Sequence, residues 1–186
     1  MASVGQARAT LDDLYREPGK AELIGGRIVQ LMATGRWPNI VAGRVFRSLG
    51  DYAEQVGRGE AFTDNMGFTV PELPSGRESF SPDAAYYDGP FPANPMRFIE
   101  GPPTLAVGVR SENDYGPAAE VEMAAKRADY FAAGTLVVWD VDTVAALVRV
   151  YRATAPDQPV TYGRGAIAEA EPAVPGWRVA VDWLFR

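Results

Sequence analysis

The chain has 186 residues, enough for one domain with a real core. It carries no cysteine and no histidine, which excludes disulfides, thiolate nucleophiles, cysteine-ligated zinc, Ser-His-Asp hydrolysis and histidine general bases together. A formal charge of −6 argues mildly against non-specific affinity for nucleic acid, because that affinity comes from Lys and Arg displacing counterions around phosphates.

No apolar run is long enough to span a bilayer, and the N-terminus lacks the basic-then-apolar order of a signal peptide, so a cytoplasmic protein with no membrane partner is expected. Thr10 followed by Leu11-Asp12-Asp13 reads as a capped start of a short helix, ended by Pro18-Gly19. Ala21 to Ile24 and Arg27 to Leu31 flank Gly25-Gly26, a pair able to supply the positive φ angles of a tight turn, and predict a β-hairpin. Gly35 to Pro38 reads as a loop. Beyond it, Val41, Val45, Leu49 and Tyr52 recur at helical spacing up to Gly57-Arg58-Gly59. Arg27, Arg36, Arg44, Arg47 and Arg58 fall in this first third, as a local basic patch or as separately solvated arginines.

Ala61 to Val70 alternates as one strand with Phe62, Met66, Phe68 and Val70 inward, followed by a turn-rich loop from Pro71 to Gly76. Phe80 to Tyr87 predicts another strand. The five prolines and two glycines between Gly89 and Pro103 predict a long loop. Thr104 to Arg110 is a strand, Glu112 to Gly116 a turn, and Pro117 to Gly134 a helix bounded by the residues that favour its two ends. On that helix Val121, Ala124, Ala128 and Phe131 form the main apolar stripe, and Lys126 lies with Ala119, Met123 and Tyr130 on a flank. Leu136 to Val141 and Ala146 to Tyr151 predict a second hairpin. Thr154 to Arg164 reads as loop with an edge strand at Val160 to Tyr162, Pro175-Gly176 as a turn, and Trp177 to Val181 as a terminal strand. The alternation of elements predicts an α/β (α+β) fold, a mixed sheet flanked by helices with an N-terminal helix and hairpin, in one domain over residues 1–186.

Five stretches carry a family likeness: Ala21-Glu22-Leu23-Ile24-Gly25-Gly26-Arg27, Phe80-Ser81-Pro82-Asp83-Ala84-Ala85, Ala106 to Tyr115, Lys126 to Gly134, and Val137 to Asp142. A Pro-Asp pair, then an acid on a nearby strand, then a lysine moved onto the following helix, resembles the Uma family of putative restriction endonucleases, an offshoot of the PD-(D/E)xK nucleases. The resemblance implies a restriction-endonuclease-like core and magnesium-dependent hydrolysis of DNA. It implies that Asp83 and a strand glutamate hold the metal together with the backbone carbonyl of Val109, that Glu22 adds an acidic group, and that Lys126 holds the attacking water. Asn113, Asp114 and Tyr130 would surround and orient that lysine. Dimerisation is common among relatives, so a homodimer is an open expectation.

Two departures stand out. Pro38 or Asn39 falls near where members often carry a histidine, and Gly108 stands where the family has its strand glutamate. A glycine coordinates no metal and weakens a strand. The chain is then a natural pseudoenzyme, a form with a deliberately disabled site, or one in which Glu22 or Glu112 substitutes, and magnesium is expected to bind weakly or not at all. On residue type alone, without the resemblance, Glu22 reads as a solvated edge-strand glutamate and Lys126 as a surface lysine.

Overall fold

The structure is a computed structural model that describes residues 7–186; the first six residues of the expected single domain lie outside the described part. Thr10 caps α1 (Leu11–Leu14) through a reciprocal pair of bonds, its Oγ1 accepting from the Asp13 N–H at 3.3 Å and its own N–H donating to the Asp13 carboxylate at 2.8 Å. Strands β1 (Ala21–Ile24) and β2 (Arg27–Gln30) form the expected hairpin, with Gly25 at φ +58° and Gly26 at +69°. Helix α2 (Arg36–Val56) begins inside the expected loop. Pro38 falls in its first turn, where a missing N–H has no partner to lose.

The strand expected over 61–70 is two, β3 (Glu60–Thr63) and β4 (Phe68–Thr69), broken by a turn in which Asn65 takes φ +72°. The strand expected over 80–87 also divides, into β5 (Ser79–Phe80) and β6 (Ala84–Tyr87), with Ser81-Pro82-Asp83 stepping between sheets. Within the proline-rich loop, β7 (Ile99–Glu100) pairs in parallel with β4. Then come β8 (Leu105–Val109), α3 (Pro117–Ala133, closed by Gly134 at φ +110°), β9 (Val137–Asp142) and β10 (Leu147–Arg152). Where mostly loop was expected, β11 (Ala155–Tyr162) runs the full width of the sheet edge; Pro156 and Pro159 hid it, since prolines are tolerated on an edge strand alone. Strands β12 (Ile167–Ala170) and β13 (Val174–Ala180) pair, and Val181 opens α4 (Val181–Leu184) instead of ending the strand.

The main sheet has the order β11-β10-β9-β8-β6-β3, and β8/β9 is its one parallel pair among the described residues. A parallel pair needs a crossover, and α3 supplies it. This mixed sheet flanked by helices is the expected fold class. On one face Val41, Val45 and Leu49 of α2 meet Leu105, Val107 and Trp139, with Trp177 of β13 at 4.8 Å from the Trp139 ring. On the other face Ala85, Ala106 and Val138 meet Phe68, Phe80 and Tyr130.

The faces of α3 are the reverse of the expectation. Tyr130 is buried and stacks on Phe80 at 4.2 Å, and Ala119, Met123 and Lys126 share its side, whereas Val121 is 69 % exposed and Ala124 and Ala128 face solvent. Alanines count as apolar in a periodicity but bury little area, so they outweighed Tyr130; of the expected stripe, Phe131 alone packs, half-buried, against the core. No helix among the described residues is long and apolar enough to cross a membrane.

Candidate functional site

A cleft of about 390 Å³ opens between β8, β9 and α3 and is lined by Lys20, Asp83, Gly108, Arg110, Lys126 and Tyr130, with residues 31–34 across one side. Asp83 sits where the chain enters the main sheet. Its N–H donates to the Val107 carbonyl at 3.0 Å, and its Oδ2 accepts the Val109 N–H at 2.7 Å. The carboxylate thus takes a strand bond that the departing backbone no longer offers. Its other oxygen, Oδ1, accepts from Lys20 Nζ at 3.0 Å, and the same ammonium lies 2.5 Å from Asp64. Burial pulls the Lys20 pKa down, but the Asp83 and Asp64 carboxylates outweigh it and hold it above the ordinary value.

Lys126 reaches the cleft from the inward side of α3 and donates to Glu22 Oε1 at 2.8 Å. Glu22 itself is 2 % exposed. Its carboxylate also accepts the Ser81 N–H at 2.8 Å and meets Arg77 Nη1 at 2.5 Å, and Arg77 in turn donates to Asp129 at 2.8 Å. Burial pushes the Glu22 carboxyl up, yet Lys126 and Arg77, helped by those hydrogen bonds, bring it below the ordinary glutamate value. The Tyr130 phenol, which lines the same cleft, is held well above its ordinary value by burial, with the Glu22 and Asp83 charges adding to the effect.

Gly108 lies on the cleft side of β8, in register with Asp140 of β9. A Cβ built on it meets only the Trp139 carbonyl, at 3.9 Å, and its φ lies outside the left-handed region, so neither crowding nor backbone conformation requires glycine there. Asp140 does not stand free as a substitute. Arg110 grips it with two bonds of 2.7 and 2.6 Å and also pairs with Glu120, and together these carboxylates raise the Arg110 pKa.

The structure therefore brings Asp83, Lys126, Gly108 and Tyr130 to one cleft and places Glu22 behind it, joined through Lys126. Val109, whose carbonyl is the expected ligand, also lines the cleft, and its N–H donates to Asp83. Asn113 and Asp114 line the cleft, but Asp114 accepts from Ser111 N and Oγ, both at 2.7 Å, closing its own turn; the partner of Lys126 is Glu22. Glu112 is exposed in that turn, away from the cleft. Pro38 and Asn39 border a small hollow against Asp83 and Asp64. Among the candidate patch arginines, Arg44 donates to the Leu184 and Arg186 carbonyls, Arg47 lies over Trp183 and Arg58 pairs with Asp88, so three of the five are occupied by the fold.

Sequence reading missed Lys20, Asp64, Arg77 and Asp129. No local signal marks them, because each works through a partner remote in the chain.

A hard divalent cation wants several oxygen ligands at once. Here both Asp83 oxygens already accept from protein donors, Glu22 is enclosed by three, and Gly108 offers none. Among the described residues no three acidic side chains converge into a cation-holding group. The residues present do not fit magnesium.

Comparison with known proteins gives the likeness a name. The profile of the Uma2 family, putative restriction endonucleases, matches residues 8–182. Among solved structures, the chain is similar to a putative nuclease of the DUF820 group from Anabaena variabilis, with a TM-score of 0.74 and 18 % identity over 95 % of this chain and 97 % of that one, a likeness of fold. Curated proteins give no match.

Proposed function

The chain belongs to the Uma2 family of putative restriction endonucleases, and on that premise we propose that its cleft descends from a magnesium-dependent site for hydrolysing DNA phosphodiesters, with cleavage impaired or abolished at Gly108. One observation carries the reading: Asp83 and Lys126 line the same cleft as Gly108, whose missing side chain would project into open space. In this reading Lys126, steadied by Glu22, holds a water near the scissile phosphate and offsets charge gathering on its oxygens. Asp83 supplies the one carboxylate of that layout that remains on the cleft wall. A hard cation needs several free oxygen ligands at once, and with Asp83 and Asp64 both paired to Lys20 no step through a bound metal is open to the chain as it stands.

Supercoiled plasmid incubated with magnesium tests this. Cleavage is expected with Gly108→Glu, none or a trace with the unaltered protein, and none with Gly108→Glu/Lys126→Ala. Efficient cutting by the unaltered protein that survives Asp83→Ala would mean the site is elsewhere. Silence from every variant would favour the second reading, a non-catalytic binding or assembly module on a nuclease fold. The observation behind that reading is that Lys20, Lys126 and Arg110, three of the cations at the cleft, are already paired with carboxylates.

The same reading takes the protein as a cytoplasmic single domain over 1–186 that assembles as a homodimer. Pro156 and Pro159 remove two amide donors from the β11 edge, which leaves β3 as the sheet edge with its full set. Light scattering on the purified protein checks the dimer.

A further inference from the structure

We propose that the ammonium of Lys20 stands in for the divalent cation of this cleft, so that the site closes around an internal positive charge instead of a metal ion. The proposal rests on the reading of Asp83 as the metal-side carboxylate. Three separate parts of the chain converge on that charge. Lys20 comes from the segment before β1, Asp64 from the turn after β3, and Asp83 from the step into β6; Nζ lies 2.5 Å from Asp64 and 3.0 Å from Asp83. The Lys20 side chain is only 13 % exposed. A lysine there is a compact point charge bridging two carboxylates, the placement that a hard cation would otherwise take.

Charge balance ties this to Gly108. Two ion-pair groups adjoin the site: Lys20 bridges Asp64 and Asp83, one cation against two carboxylates, and Lys126 and Arg77 meet Glu22 and Asp129, two against two. A glutamate at position 108 would add another negative charge next to Asp83 and leave room in the balance for a divalent ion. With glycine there, a cation approaching Asp83 Oδ1 meets the ammonium and, on displacing it, finds only Asp64 and Asp83, with no third carboxylate from position 108. The other Asp83 oxygen is already committed to the Val109 N–H. Lysine and glycine thus work as a pair, one filling the position and the other removing the reason to empty it.

Manganese binding, read from the electron paramagnetic resonance signal of free Mn2+ with no DNA present, tests the proposal on four proteins: unaltered, Lys20→Met, Gly108→Glu and Lys20→Met/Gly108→Glu. Expected are no Asp83-dependent uptake by the unaltered protein, weak uptake by Gly108→Glu, and uptake at least ten-fold tighter by the double variant. Stoichiometric uptake by the unaltered protein that Asp83→Asn removes would overturn the proposal, as would equal affinity of Gly108→Glu and the double variant. Circular dichroism establishes that each variant is folded. Should Lys20→Met not fold, Lys20→Gln in the Gly108→Glu background takes its place, uptake tighter than that of Gly108→Glu supporting the internal cation and equal uptake refuting it. Because DNA is absent, a failure here leaves the plasmid test untouched. Conversely, a Gly108→Glu protein that binds Mn2+ yet cuts nothing would refute the nuclease reading and not this one.

Discussion

Replacing Glu22 by glutamine removes one negative charge from the least accessible ionic group behind the cleft while keeping its shape. Glu22 accepts from Lys126, Arg77 and the Ser81 N–H, all within 2.8 Å, and its side chain is 2 % exposed. Breaking a buried pair by neutralising one partner costs about 3–5 kcal/mol, because the other charge stays buried. Two features place this case at the low end. Arg77 keeps Asp129 at 2.8 Å, and Lys126, 32 % exposed, can swing to water. The expected loss is therefore about 3 kcal/mol at neutral pH, or roughly 6–12 °C in melting temperature for a chain of this size.

The loss must also depend on pH. The folded-state pKa of Glu22 lies below the ordinary value of 4.5, so its stabilisation is complete above that value and fades as pH falls through the folded pKa. Urea titrations of the two proteins should differ by the full amount near pH 7 and converge as the pH drops below about 4.5. Equal stability at pH 7, or a gap that persists undiminished in acid, would refute the account of Glu22 as a charged hub.

Two further substitutions probe the surroundings. Gly108→Ala should stabilise the protein by about 0.4–1 kcal/mol in urea unfolding, because the backbone there needs no glycine and the added methyl meets nothing closer than 3.9 Å; a destabilised variant would mean the strand is more crowded than its geometry indicates. Arg110→Met should cost about 3 kcal/mol with an unchanged urea m-value, since Asp140 would be left with Arg149 alone at 3.7 Å while the half-exposed Glu120 rehydrates; a neutral effect would show that Asp140 finds water instead.

What could be read in the sequence was what repeats over short distances. The Gly25-Gly26 hairpin, the α2 stripe from Val41 to Leu49 and the apolar runs of β8, β9 and β10 each announce themselves within a dozen residues. Asp83, Lys126 and Gly108 were found through family likeness. Lys20 meets Asp83 across 63 positions, Arg77 meets Asp129 across 52, and Lys126 meets Glu22 across 104. No periodicity or local motif records such pairs, and a half-buried lysine in a fold looks the same in one dimension as a solvated one. Strands β4, β5 and β7 were hidden for a related reason. Two residues long, they are strands only because each finds another on the same side of the sheet.

The ionic network also explains which change the cleft can absorb. Neutralising Glu22 leaves Arg77 with Asp129 and turns Lys126 to water, neutralising Asp83 leaves Lys20 with Asp64 alone, and losing Arg110 leaves Asp140 with Arg149. Glu22 and Arg110 sit among buried partners, so removing either costs about 3 kcal/mol on the scale of broken buried pairs, while the part-exposed Asp83 costs less. Position 108 is different. Its side chain would point into open cleft, no buried donor waits for it, and no backbone strain rests on it. A glutamate there could serve a ligand but would hold up nothing. With glycine there, the ion pairs of Asp83, Lys126 and Glu22 stand undisturbed, each also holding its neighbours in place. Their presence is thus not evidence of turnover, and the stability of Gly108 variants, measured beside their cleavage, separates what the cleft does from what it holds together.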